Sequence, residues 1–291
     1  NLMVGPMALT GSTRMQATTI LMYVVGLALW FHDEKGHAFE EEARAIKRFV
    51  DKVDFSFLAP FIEKESEIYG RGEYLLYGTD PYFGISILTD TTERSPTFSL
   101  YPFENQKEEH KNPSLAYMYF PHAKTNEEGW NALLQRAPRT FYWPEVTAQT
   151  THERLMGFDI SRHFPLMRED YVKKKNHHFK VYFHREKNEI HFELDYLKHT
   201  LELGELNFLS AHLVLKILLN NLSTTIMGRM GRYESNLMTW VRASNNKLID
   251  RAVRYATTLL KKKGIEVPYD QLVHECFQLK DQIPRDQALV L

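Results

Sequence analysis

Apolar residues between positions 209 and 254 recur at helical spacing. Leu213, Leu215, Leu218, Leu219, Leu222, Ile226 and Met230 follow one another at steps close to three and four, which predicts a helix with a buried face. Lys216 is the only charge between His212 and Arg229, so the centre of this helix is apolar nearly all round and belongs inside a packed domain. A lysine in that setting either snorkels to an edge or meets an anion. The small polar residues after it (Asn220, Asn221, Ser223, Thr224 and Thr225) either hydrogen-bond a ligand or let neighbouring helices approach. Gly231 ends the helix, Ser244 is expected to cap a second one, and Leu248, Ile249, Ala252 and Val253 supply its buried side. Three lysines at 261–263 before Gly264 suit a helix C-terminus, and residues 269–279 form one more short amphipathic helix.

Upstream, residues 1–31 read as strand, polar turn and helix, with 20–31 taken as a buried helix. In the turn Thr10-Gly11-Ser12-Thr13-Arg14 the hydroxyls cap the following helix, whose first amides favour an anion. Read alone, the same motif is equally an N-cap that binds nothing. Residues 40–68 form a long amphipathic helical pattern with a break expected near Pro60. A buried strand at 73–78 leads through Thr79-Asp80-Pro81-Tyr82-Phe83 into a helix at 84–93, the strand-turn-helix arrangement at which α/β folds bind ligands. Short apolar runs at 98–101, 115–120, 140–143 and 157–160 are read as further strands, alternating with helices such as 126–136. Strands alternating with helices predict an α/β fold with a parallel sheet covered on both faces. Residues 178–196 alternate around Glu186-Lys187-Asn188 and predict a hairpin.

Composition narrows the function classes. The chain has 291 residues, 43% hydrophobic and 25% charged, enough for one large domain with accessories. A net charge of −1 argues against a nucleic-acid surface, which needs a basic excess, so any bound anion is small and locally recognised. The single cysteine, Cys276, rules out an internal disulfide and a thiolate metal site, and points to a reducing compartment, the cytoplasm. The apolar run at 20–31 is too short to span a membrane, so no membrane partner is expected. His177, His178, His184 and His191 raise a metal question, but no acidic or thiol partner has ligand spacing. No metal and no cofactor are expected, and partner binding by the hairpin is the better reading.

Residues 215–238 (LKILLNNLSTTIMGRMGRYESNLM) and 244–254 (SNNKLIDRAVR) resemble the C-terminal part of the sugar isomerase domain superfamily. The resemblance is to the branch that holds bacterial N-acetylmuramic acid 6-phosphate etherase and the animal glucokinase regulatory protein. Residues 4–17 (VGPMALTGSTRMQA) look like the element that closes a sugar isomerase domain in the same proteins, and residues 74–93 (YLLYGTDPYFGISILTDTTE) look like the first strand-loop-helix of the next one. The resemblance implies a three-layer α/β/α domain with a mostly parallel sheet at 36–235, a closing strand and helix of a preceding domain at 1–35, and a C-terminal helical cap at 236–291. It also implies that a first such domain precedes this chain, and that the hairpin at 178–196 is an insertion. The helix at 16–29 and the helix at 211–225 then occupy equivalent places, with Met22 opposite Lys216.

By that resemblance the chain is a regulatory-type protein that holds a phosphosugar, a fructose phosphate or N-acetylmuramic acid 6-phosphate, between two such domains or with a second subunit. Glu93 matches the glutamate that acts as acid/base in the etherase and contacts the sugar phosphate in the regulator. Lys216 lies across the interface, and Ser12, Thr13 and Arg14 finish the preceding domain's pocket. Read alone, Glu93 is a surface glutamate beside Arg94. The loop at 79–83 departs from the phosphate-binding pattern: Pro81 removes an amide donor, Asp80 repels phosphate, and two aromatic rings fill the space. Loss of phosphate chemistry there favours binding over catalysis. An etherase-type lyase with Glu93 as acid or base, and an interaction module without a ligand, stand as alternatives. A protein partner is compatible with the first and third.

Overall fold

The computed structural model describes residues 13–30, 37–141 and 143–291. Two helices, α1 (Thr13–Trp30) and α2 (His37–Lys52), lead to a 3-10 turn at Phe55–Phe57 and to α3 (Leu58–Gly70). The strand β1 (Tyr74–Thr79) is followed by α4 (Gly84–Phe98), β2 (Ala116–Tyr119) and α5 (Asn126–Leu134). Three short helices come next, α6 (Thr147–Thr150), α7 (His152–Met156) and α8 (Phe164–Glu169). Then come the strands β3 (Asn176–His184), β4 (Glu189–Leu194) and β5 (Leu197–Glu202), and the helices α9 (Phe208–Arg229), α10 (Asn246–Lys262) and α11 (Tyr269–Leu279).

The sheet runs β2-β1-β3-β4-β5. β1 pairs parallel with β2 and β3, β4 pairs antiparallel with β3 and with β5, so four of the five strands point one way. Leu75, Leu76 and Tyr77 of β1 are wholly buried, which requires cover on both faces, and this is the three-layer α/β/α arrangement expected. On one face Tyr77 meets Glu65 of α3 and Arg94 of α4. On the other, Tyr117 of β2 stacks between Phe103 and Phe164. From His177 to Tyr182 of β3 burial alternates, Phe179 and Val181 inward and Lys180 and Tyr182 outward, and β4 alternates likewise, so that these two strands are fully covered on one face only. The hairpin read as an insertion is therefore built into the sheet, with β3 beside β1 at its middle.

Four expectations need correction. The break in the 40–68 pattern lies at Asp54, whose side chain caps the following turn, and Pro60 sits in the first turn of α3, where its missing N–H costs nothing. The apolar runs at 98–101 and 157–160 are not strands. Phe98 ends α4 and Ser99 turns left-handed, while Ile160 only accepts one backbone bond from Phe120. Residues 140, 141 and 143 are likewise outside any strand. Asn245, one residue after Ser244, caps α10 through the Leu248 amide. Finally, Leu21, Met22, Val25 and Leu29 of α1 are exposed, although the run at 20–31 reads as a buried helix. Apolar composition demands cover, but within this chain α1 packs chiefly beside α2.

The main core joins α3, α4, α9 and the sheet. A second cluster gathers Met238, Val241, Leu248, Ile249, Val253 and Cys276 between α10 and α11.

Candidate functional site

The loop after β1 carries its own anion. Asp80 Oδ1 accepts from the amides of Tyr82 (2.7 Å) and Phe83 (3.0 Å), and Oδ2 accepts from the amide of Phe183 on β3 (2.5 Å). The first two belong to the loop that leads into α4, so an external phosphate at this loop would have to compete with the Asp80 carboxylate for them. Burial pushes the Asp80 carboxyl above its ordinary value, and the three amide bonds oppose that shift. The ring of Phe83 packs against Phe183 (5.0 Å) and stacks on Phe208 (6.4 Å), closing the space above. α4 then presses close to β2: a Cβ on Gly84 would come within 2.5 Å of the Phe120 ring, so only glycine fits there.

One turn further, α4 and α9 face each other along a polar seam. Ser86, Thr89 and Glu93 lie at i, i+3 and i+7 on α4, and His212 and Lys216 at i and i+4 on α9, so helical periodicity points both sets at one line. The Ser86 hydroxyl lies 2.8 Å from His212 Nδ1. Lys216 Nζ donates to Thr89 Oγ1 at 3.2 Å and stands 3.6 Å from a Glu93 carboxylate oxygen. Lys216 is only 5% exposed, so its charge is held inside the protein, whereas the Glu93 side chain is 39% exposed. Thr19 of α1 and Leu213 close a cavity of about 130 Å3 against Ser86, Thr89, His212 and Lys216. Burial holds His212 below the usual histidine range, which keeps it neutral and able to share one proton with Ser86. No carboxylate bonds the other ring nitrogen among the described residues, so the pair positions groups and lacks the third member that activates a nucleophile.

Behind the seam lies a buried ionic cluster. The Arg94 guanidinium, 2% exposed, donates to Glu65 (2.6 Å), to Asp90 (2.9 and 3.2 Å), and to the hydroxyls of Tyr69 (3.2 Å) and Tyr77 (2.9 Å). Burial works against the Arg94 charge, but Tyr77, Glu65 and Asp90 hold its pKa well above the ordinary value. Ser223 of α9 donates to Asp90 Oδ1 at 3.2 Å, so this residue ties α9 to α4 and is not free for a ligand. The cluster fixes the turn of α4 that carries Glu93.

Of the residues singled out from sequence, Glu93 and Lys216 are brought together. Ser12 lies outside the described residues, and Thr13 and Arg14 open α1 with side chains outside them; Thr19, further along that helix, reaches the seam. Of the hairpin histidines, His177, His178 and His191 are hydrogen-bonded to protein side chains, whereas the buried Nδ1 of His184 has no hydrogen-bond partner among the described residues. His177 Nε2 bonds Glu73 (2.9 Å), His191 bonds Glu189 (3.1 Å), and the rings of His184 and His191 are 5.8 Å apart. No group of three or more metal-ligating side chains occurs among the described residues. Ser86 and His212 escaped the sequence reading, although their helical phase with Glu93 and Lys216 was a usable signal. No helix among the described residues is long and apolar enough to cross a membrane.

Segments of the chain are similar to known enzymes. One is 42% identical over 77 residues to an N-acetylmuramic acid 6-phosphate etherase of Gloeobacter violaceus, covering 23% of this chain and 25% of that protein. Another is 44% identical over 54 residues to the etherase of Clostridium acetobutylicum, covering 18% of each. The chain thus matches a quarter or less of the length of these curated relatives. No family model matches it. The likeness supports the sugar isomerase superfamily and nothing finer.

Proposed function

We propose that this chain is the second half of a sugar-phosphate-binding regulatory protein, in which the ligand lies at the α4–α9 seam between this domain and a preceding one or a second subunit. The observation that carries this reading is the buried Lys216, held toward Glu93 and Thr89 at the wall of a small cavity. A lysine amine in a largely buried site beside a single carboxylate favours an anionic or hydroxyl-rich ligand, and Glu93, partly open to solvent, is placed to accept hydrogen bonds from sugar hydroxyls. Asp80 fills the amide cradle of this domain, so the phosphate loop would come from the other domain, with Ser12, Thr13 and Arg14 finishing its pocket. Residues 36–235 act in this reading as the ligand-binding domain, 1–35 as the closing element of its neighbour, and 236–291 as a cap.

The similarity to etherases favours a second reading, a lyase that removes lactate from N-acetylmuramic acid 6-phosphate with Glu93 as the acid/base. One experiment separates them: a thermal-shift titration with fructose 6-phosphate, fructose 1-phosphate and N-acetylmuramic acid 6-phosphate, run on this chain alone and joined to a preceding sugar isomerase domain, with D-lactate assayed in parallel. Regulation predicts saturable stabilisation without lactate, and Lys216→Ala weakens it by about tenfold or more, the loss of one charge-assisted contact of roughly 1.5–3 kcal/mol. Lactate release abolished by Glu93→Gln establishes the lyase. No stabilisation by any of the three sinks both.

A further inference from the structure

A second concave site lies away from the seam, where the end of α4 meets the C-terminal segment. Tyr101, Arg242, Ser244, Lys280, Asp281 and Arg285 line a cleft of about 470 Å3, within the roughly 300–1,000 Å3 typical of small-molecule sites. Its charge is lopsided. Three cations face one lining carboxylate, Asp281, which Lys280 engages at 2.5 Å. Arg232 adds a fourth cation just behind, donating to the Phe98 and Arg285 carbonyls and lying 4.1 Å over the Trp240 ring. Arg232, Arg242 and Arg285 have no carboxylate within ion-pair distance among the described residues, unlike the buried Arg94 and Arg168. Asp286 is the acidic group that acts on Arg232 and Arg242 from a longer distance.

The arginines have structural work, but it uses only part of their capacity. Arg242 donates from Nε to Ser99 Oγ (2.8 Å) and from Nη1 to the Ile283 carbonyl (2.6 Å), and Arg285 donates from Nη1 to the Leu100 carbonyl. These partners are neutral, so they satisfy some N–H groups and put no carboxylate in direct contact with either guanidinium. A guanidinium has five donors, and Arg242 uses two of them. Burial, followed by the charge of Arg285, depresses the Arg242 pKa, and Tyr101 and the more distant Asp286 only partly oppose this. The Tyr101 ring lies 4.9 Å from the Arg285 guanidinium and gives the cleft one flat apolar wall.

We propose that this cleft binds the phosphate group of a small phosphorylated molecule, with Arg242 and Arg285 as the forked donors and Lys280 as a point charge. The fork of a guanidinium matches phosphate oxygens two at a time, and a dianion neutralises the net excess of two positive charges among the lining groups. The cleft is larger than one phosphate requires, so the organic part of the molecule lies along Tyr101. A ligand here would tie the end of α4, which carries Glu93, to the C-terminal segment.

The test is calorimetric titration of the chain with inorganic phosphate and with glycerol 3-phosphate, at ionic strength matched with sodium chloride. Arg285→Gln and Lys280→Gln are the variants; the Lys280 ammonium pairs only with the exposed Asp281 among the described residues, and glutamine keeps most of the side chain's length, so this replacement removes the charge with the smaller change to packing. Saturable binding of both probes, weakened at least about tenfold in each variant, is the expected result. Glycerol 3-phosphate is expected to bind more tightly than inorganic phosphate. Equal affinity overturns the assignment to a phosphorylated molecule, and unchanged binding in Lys280→Gln, or none in the unsubstituted chain, overturns the site.

Discussion

Replacing Asp80 tests the idea that this loop supplies its own anion. In Asp80→Ala the amides of Tyr82 and Phe83 lose their acceptor, a loss equivalent to a helix cap, about 0.5–2 kcal/mol. The amide of Phe183 loses a charge-assisted bond that ties the loop to β3, worth roughly 1.5–3 kcal/mol. Against these, burial already penalises the ionised carboxylate, and removing it returns part of that cost. The net expectation is a loss of about 2–3 kcal/mol. Asp80→Asn keeps an oxygen for the two loop amides but turns an N–H donor toward Phe183, so it should fall between, near 1–2 kcal/mol. Urea unfolding followed by far-UV circular dichroism at pH 7 measures both, with the slope m expected to be unchanged. An alanine variant within about 0.5 kcal/mol of the parent would show that the amides find other partners, and the account of the closed phosphate cradle would fail with it.

Arg94→Met leaves Glu65 and Asp90 as uncompensated carboxylates in the interior and should cost about 3–5 kcal/mol by the same unfolding assay; a loss under about 1 kcal/mol would mean that water or a proton takes the place of the guanidinium. His212 makes stability pH-dependent. Its folded pKa lies below the unfolded value near 6.5, so between those two the unfolded chain binds more protons, and its contribution, complete above about pH 6.5, is lost as pH falls through that window. Unfolding free energy measured from pH 7.5 to 5.5 should therefore decline, and His212→Gln should flatten the decline; an identical slope in the variant removes His212 from the account.

Periodicity along the chain was enough to locate the helices at 84–98, 208–229, 246–262 and 269–279 and the strands at 74–79 and 116–119, because an apolar face or a fully buried strand leaves its own repeat in the sequence. It failed at 98–101 and 157–160, where apolar side chains such as Leu100 and Ile160 reach the core from irregular backbone, since burial alone does not require a strand. It also misread α1, whose composition says that it must be covered but not by what. Glu93 and Lys216 were identified by motif, 123 positions apart, and only packing of α4 on α9 set them 3.6 Å from each other. The carboxylate of Asp80 was legible as a group hostile to phosphate. Its place on the amides of Tyr82, Phe83 and Phe183 was not, because one of those amides comes from β3, a hundred residues downstream, and sheet register alone brings it there.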